Sequence, residues 1–190
     1  MFLIDELIAL LAANLILSQA LGTSTMFIAA DSKKNMLATS CVITVFTTIG
    51  SAAAYFIDSL LPDTAADLRL LFYTAVIGVL YIIMLTVSYF VGKNWFADFR
   101  KYIHVSAFNC AVMGTLFTIN GKMADGSLAF ELGAYISAGF EAGIGFITAA
   151  LILAAAYRKL NSAKVPESFR GFPAMLIYLG IISMAVYSLK

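Results

Sequence analysis

The sequence predicts an all-α integral membrane protein with six transmembrane helices. Of its 190 residues, 62% are hydrophobic and only 12% are charged, and the mean hydropathy is +0.92. A soluble domain carries about 25% charged residues, so this chain is composed for a lipid environment. The net charge of +1 and the absence of a basic patch argue against a nucleic-acid-binding protein. We therefore expect one membrane domain over residues 1–190.

Six apolar, largely uncharged runs predict the transmembrane segments. They cover residues 4–22, 36–57, 70–92, 102–120, 128–156 and 172–189. The first run opens with Asp5 and Glu6 instead of a basic region, so we do not interpret it as a cleaved signal peptide. Pro173 lies at the start of the sixth run, where a missing backbone N–H costs little.

The basic residues predict how the chain is oriented. Nine lie in the loops after segments one, three and five, and three lie on the opposite side. By the positive-inside rule the first group is cytoplasmic, so both termini face outward from the inner (plasma) membrane. The two groups are Lys33, Lys34, Lys93, Arg100, Lys101, Arg158, Lys159, Lys164 and Arg170, against Arg69, Lys122 and Lys190.

The chain divides into two halves of three segments each, at about residues 1–92 and 102–190. A duplicated unit with an odd number of crossings inserts its second copy upside down, which predicts an inverted 3+3 repeat. The first member of each half carries a polar stretch, "NLILSQALGTSTMF" at 14–27 and "HVSAFNCAVMGTLF" at 104–117. We therefore predict that the first and fourth helices are broken within the membrane.

Particular residues favour those breaks. Asn, Ser and Thr side chains can satisfy the backbone groups that unwinding leaves unpaired, and Gly lets another backbone approach closely. The alternative is that the glycines are ordinary helix-packing contacts. The residues assigned to the breaks are Gly22, Thr23, Thr25, Asn109 and Gly114.

Glu141 is the one acid in the middle of a predicted segment, where a carboxylate costs several kcal/mol unless it is partnered or neutralised. At 100° per residue, Gly139 and Gly143 share one helix face and can pack on a neighbour, while Glu141 points the other way. One interpretation is a proton or sodium site. The other is a protonated, hydrogen-bonded carboxyl that joins two subunits. His104 has two similar interpretations, a structural residue or a proton relay.

Several stretches together resemble a known family. They are the Asn14-containing helix that leads to "LG" at 21–22, "SKK" at 32–34, "NCAVMG" at 109–114, "YRKL" at 157–160 and "VPESFRG" at 165–171. With these stretches the chain resembles the A subunit of the Rnf complex and the E subunit of the sodium-pumping NADH:quinone reductase, Nqr. The resemblance extends over most of the 190 residues.

The resemblance implies a [2Fe–2S] cluster held in the membrane by four thiolates, two from this chain and two from a homologous, inverted E-like subunit. Cys110 would be one ligand, with Asn109 bracing the broken backbone. By the same resemblance, the first family cysteine is replaced here by Ser24 in "LGTST". Three interpretations stay open: Ser24 binds iron as an alkoxide, the partner supplies three ligands or leaves the set incomplete, or the cluster is lost. Cys41 lies well past the break and is interpreted as a small apolar filler.

The function implied by the resemblance is electron transfer across the membrane within an Rnf-type complex. That complex moves electrons between ferredoxin and NAD and couples them to Na⁺ or H⁺ translocation, with other subunits carrying flavin and iron–sulfur groups. Three alternatives stay open: an Nqr-type role, a redox-silent paralogue with a structural role, and a secondary ion or solute transporter. The transporter would use the broken helices and Glu141 without a metal.

Overall fold

The computed structural model describes residues 14, 17–18, 20–23, 25, 33–61, 66–92 and 96–188, and the description below concerns this part. It is all-helical and contains no strand. The helices are α1 (Lys33–Leu60), α2 (Ala66–Val91), α3 (Phe96–Ala107), α4 (Cys110–Ala124), α5 (Leu132–Leu160) and α6 (Phe172–Tyr187), with a 3-10 turn at Glu167–Phe169 before α6.

These helices confirm the all-α membrane fold. Three of them are long and apolar enough to cross a bilayer, over Asn35–Leu60, Leu68–Val91 and Leu132–Tyr157. The pair α3 and α4 qualifies together as one span that is bent by 40°, which confirms the predicted break in the fourth segment. The helix α6 has 16 residues and carries a proline in its first turn. Most of the predicted first segment lies outside the described residues.

The helix α5 begins four residues later than the sequence predicted, because a tight turn separates it from α4. The carboxylate of Asp125 accepts hydrogen bonds from the Ser127 backbone N–H (3.0 Å) and hydroxyl (2.6 Å). Gly126 takes a φ of +74°, which favours glycine. This local network ends α4 and delays the next helix to Leu132.

The helices α1 and α5 form the central, antiparallel pair of the bundle. Gly139 lies against Ser51 and the Thr47 carbonyl, while Gly143 lies against Thr44. Along this contact the residue numbers increase on α5 and decrease on α1, so the two helices run in opposite directions. The predicted glycine face of α5 is therefore confirmed as a helix-packing surface.

The core fills the space between this pair and α4. Its largest buried side chains include Phe46, Phe146 and Leu116, from α1, α5 and α4 in turn. The helix α2 lies at the edge, since most of its membrane-crossing residues are exposed. The bundle therefore places α4, and the break before it, beside the central pair.

Candidate functional site

The break before α4 is made by Asn109. The helix α3 ends at Ala107, and Asn109 takes an extended backbone conformation with φ −77° and ψ 140°. Its side-chain oxygen accepts a hydrogen bond from the Ala111 backbone N–H at 3.0 Å. An asparagine cap of this kind satisfies one of the free N–H groups at a helix start. The new helix therefore begins at Cys110 with a polar cap inside an apolar bundle.

The first predicted segment is also interrupted in its described part. Leu17 and Ser18 are helical, the stretch 20–22 is not, and Thr23 and Thr25 are helical again. Ala20 and Gly22 have positive φ angles of 56° and 83°. Left-handed backbone ends a right-handed helix, so the polypeptide breaks at the "ALG" stretch.

The two breaks contact each other. A methyl group added at Gly22 would lie 2.8 Å from the Ala111 Cβ and 3.2 Å from the Asn109 side-chain oxygen. In the same way, Gly114 lies directly against the Leu21 side chain. Gly22, with its positive φ, therefore serves both the break and the packing, whereas Gly114 lies inside α4 and serves the packing alone.

The first break is also anchored to α5. The Asn14 amide donates to the Gly145 carbonyl at 2.6 Å, and it lies 3.4 Å from the Thr148 hydroxyl. The Ser183 hydroxyl of α6 donates to the Leu17 carbonyl. Polar side chains therefore hold the interrupted segment in place where it lacks the backbone hydrogen bonds of a continuous helix.

Cys110 is the first residue of α4 and is exposed. It lies at one end of an open groove of about 720 Å³, which runs along α4 to Lys122 and Asp125. Backbone N–H groups at a helix start favour an anionic ligand atom. The thiol is therefore presented outward from the meeting point of the two breaks, where a second protein can reach it.

Comparison with known proteins identifies the family of the chain. The family model for the Rnf-Nqr subunit, a membrane protein, matches residues 5–190. The chain belongs to the Rnf-Nqr subunit family. The family resemblance inferred from the sequence stretches is therefore confirmed.

Curated relatives of this Rnf-Nqr chain carry two kinds of name. The A subunit of the "Ion-translocating oxidoreductase complex" from Alcanivorax borkumensis is 29% identical over 182 residues, covering 93% of this chain and 90% of the relative. The E subunit of the "Na(+)-translocating NADH-quinone reductase" from Neisseria gonorrhoeae is 28% identical over 184 residues, covering 92% and 89%. The corresponding A subunit from Shewanella oneidensis is 28% identical over 181 residues, with the same coverage of 92% and 89%.

The other cysteine of the Rnf-Nqr chain lies away from this site. Cys41 is exposed on α1, on the same outer stripe as Leu37 and Val45. It is therefore a surface residue and not a core filler. Ser24, the other candidate ligand named from the sequence, lies outside the described residues. In the described part no three His, Cys, Asp or Glu side chains are grouped to hold a metal.

Glu141 and His104 differ in their surroundings. Glu141 is exposed on α5, opposite the packed glycine face, and none of the described residues hydrogen-bonds to it. Its predicted role as an ion or proton site stays a prediction. His104 is exposed too, but its Nδ1 atom is 2.6 Å from the Tyr81 hydroxyl. This hydrogen bond joins α3 to α2 just before the break.

A further polar group escaped the sequence interpretation. Asp58 near the end of α1 has a fully buried side chain, which accepts hydrogen bonds from Tyr73 of α2 and Tyr135 of α5. In the sequence it follows directly after the second predicted segment, 36–57, and lies outside every predicted segment. Only the antiparallel packing of α1 on α5 brings Tyr135 to it, 77 positions away in the chain.

Proposed function

We propose that this chain is a membrane subunit of an Rnf-type, ion-translocating electron transport complex. It would carry electrons across the membrane together with a homologous, inverted E-like subunit. Family membership over residues 5–190 supports this role, and so do the names of the relatives. The observation that carries the proposal is Cys110, exposed at the meeting point of two interrupted helices.

The arrangement suits a cofactor that is shared between two chains. One thiol from this chain faces outward, while a full ligand set is absent from its described residues. We propose that Cys110 supplies one thiolate to a [2Fe–2S] cluster and that the partner subunit supplies most of the others, with Ser24 as the candidate second ligand from this chain. When bound, the cluster would accept and donate single electrons.

The residues around Cys110 would hold that ligand in position. The Asn109 side-chain oxygen fixes the start of α4, so the thiol has a defined position. Its amide nitrogen is buried and makes no hydrogen bond within the described structure. A donor of this kind is costly unless an acceptor is supplied, so we expect it to pair with a bound group or a water molecule.

Iron content and electron paramagnetic resonance of the purified complex test the ligand assignment. We expect Cys110→Ala to remove a reduced [2Fe–2S] signal and its share of the iron. Cys41→Ala is the matched control, because it removes an exposed cysteine that lies away from the break, and it should leave both unchanged. An unaltered signal in a normally assembled Cys110→Ala complex would refute the assignment.

The Rnf assignment has a separate test, because relatives of both kinds are about equally similar. The purified complex should reduce NAD⁺ with ferredoxin as the electron donor. Reduction of quinone by NADH, without a ferredoxin reaction, would instead identify a complex of the Nqr type.

A further inference from the structure

Glu141 places a carboxyl group on the outside of the bundle at the depth of the membrane interior. The membrane-crossing part of α5 extends over Leu132–Tyr157, so at about 1.5 Å per residue Glu141 lies about 5 Å from its midpoint. The hydrocarbon core extends about 15 Å to each side of the bilayer centre, and a glutamate side chain is too short to reach its surface from there. The exposed carboxyl group would therefore lie among lipid tails, which offer no hydrogen bonds, unless another protein covers it.

The two acids in the described membrane-crossing helices differ in how they are compensated. Asp58 of α1 is buried and accepts hydrogen bonds from Tyr73 and Tyr135. Glu141 accepts none from the described residues. Ser137, one turn away on the same side of α5, donates its hydroxyl to a carbonyl of its own helix instead. The chain thus supplies partners to one membrane acid, whereas the other has to obtain its partner from outside.

The surface around Glu141 is otherwise suited to lipid and to a neighbouring helix alike. Its exposed large side chains are Ile136, Phe140 and Leu151, and the small residues Gly133 and Ser137 are exposed between them. Small residues allow a second helix to approach closely, but apolar residues on the outside of a membrane helix are equally stable in lipid. The carboxyl group is therefore the feature that distinguishes a protein partner from lipid at this surface.

We propose that this outward surface of α5 packs against a transmembrane helix of another subunit, and that this helix carries a lysine or arginine opposite Glu141. A basic side chain compensates the negative charge and also donates hydrogen bonds to the carboxylate oxygens. Ionisable residues inside membranes pair with one another for this reason. The carboxylate then fixes the depth and the rotation at which the two helices meet.

A second copy of this chain does not have the required group. The described lysines and arginines of the membrane-crossing segments lie close to the segment ends, at Arg69, Arg100, Lys101 and Lys122. Two copies that packed through the same α5 surface about a two-fold axis would instead place the two Glu141 carboxylates at the same depth, where like charges repel. Charge complementarity therefore selects a different subunit as the partner.

This inference rests on the proposed function, because membership of a multi-subunit complex provides such a partner. It deepens that function by assigning a subunit contact to α5. The proposed cluster ligand Cys110 begins α4, so the two sites are on different helices. A variant at Glu141 can therefore affect assembly without removing a proposed cluster ligand.

Recovery of the complex through a tag on this chain tests the contact. We expect Glu141→Leu to lower the yield of co-purified subunits by about tenfold, because the partner's basic side chain would be left buried and unpaired. Glu141→Gln keeps the size and hydrogen-bonding capacity of the side chain, so its loss should be smaller. Glu131→Leu is the matched control, because Glu131 is an exposed acid that precedes the membrane-crossing part of the same helix, and it should assemble like the wild type.

The opposite result is expected if this surface of α5 contacts lipid. Glu141→Leu would then remove a polar group from hydrocarbon, and the yield of the complex would be equal to that of the wild type or higher. Either of these yields would overturn the inference. Thermal unfolding of the purified full-length chain in detergent accompanies the assay, and an unchanged Tm of Glu141→Leu locates the loss at the contact between subunits.

A photo-crosslink identifies the partner helix and keeps the inference testable if Glu141→Leu does not fold. The amino acid p-benzoylphenylalanine is introduced at Ser137, so that Glu141 itself is retained. In the purified complex it should crosslink to a transmembrane peptide of another subunit that contains a lysine or arginine. Exchanging the two charges, by Glu141→Lys together with glutamate at the basic position, should restore assembly that either change alone reduces. Crosslinks only to lipid, to a second copy of this chain or to a segment without a basic residue would overturn the inference.

Failure of this inference is distinguishable from failure of the proposed function. If the wild-type chain and Glu141→Leu both co-purify fully with the flavin and iron–sulfur subunits, only the α5 contact is overturned. If the wild-type chain co-purifies with none of those subunits but crosslinks from position 137 to a basic segment of another membrane protein, only the proposed role in the electron transport complex is overturned.

Discussion

Replacing Gly22 by alanine is the most direct test of whether the two helix breaks pack against each other. Two costs add at this position. The φ of +83° disfavours any side chain, by about 1–2 kcal/mol. The new methyl group would also lie 2.8 Å from the Ala111 Cβ, and overpacking of this kind costs about 1–3 kcal/mol. We therefore expect Gly22→Ala to destabilise the protein by about 2–5 kcal/mol.

The matched control is Gly126→Ala. Gly126 also has a positive φ, +74°, but no atom of the described structure lies within 4 Å of an added methyl group. This variant carries the backbone cost alone, so the difference between the two variants measures the contact between the breaks. Thermal unfolding in detergent is a suitable assay, since 1 kcal/mol shifts the Tm of a chain of this size by about 2–4 °C.

A double-mutant cycle identifies the contacting atom. Ala111→Gly removes the methyl group that Gly22→Ala would meet, so the double variant should be less destabilised than the sum of the single variants. Equal Tm values for Gly22→Ala and Gly126→Ala, together with an additive cycle, would refute the packing of the two breaks.

Three further predictions concern packing, capping and charge. Gly139→Ala should destabilise the protein by about 1–3 kcal/mol, because the added methyl group would lie 2.5 Å from the α1 backbone. Gly180→Ala is its control, because an added methyl group there meets no atom of the described residues, and this variant should be neutral or stabilising. Thermal unfolding measures both. Asn109→Ala should cost about 1 kcal/mol through loss of the α4 cap, and Asn109→Ser should restore most of the lost Tm. Hydrogen bonds from Ser127 lower the pKa of Asp125 below its ordinary value. The resulting stability is present above that ordinary value and lost as the pH falls through the lowered pKa, so Ser127→Ala should reduce the fall in Tm between about pH 6 and pH 3; an equal fall in both proteins would contradict this.

The fold class followed from the sequence, because the composition and the length of the apolar runs indicate directly whether a chain is surrounded by water or by lipid. A chain with 12% charged residues and several apolar runs of about 20 residues has no stable state in water that buries them all. The glycine face of α5 was predictable for a similar reason, since residues four apart share a face in any helix. The break at Asn109 also had a local cause, a capping residue before a helix start.

Tertiary structure decided which of these local features come together. The sequence marked Gly22 and Gly114 as break residues, but their contacts with Ala111 and Leu21 depend on how two segments about 90 residues apart are packed. Asp58 illustrates the same limit. Its burial and its bond to Tyr135 arise from the antiparallel α1–α5 pair, which spacing along one helix does not encode. The sequence by itself therefore determined the lipid environment, the helical segments and the helix breaks, because these depend on composition and on residues that are close together in the chain. Long-range packing determined which polar side chains are buried together, because it fixes the distances between segments.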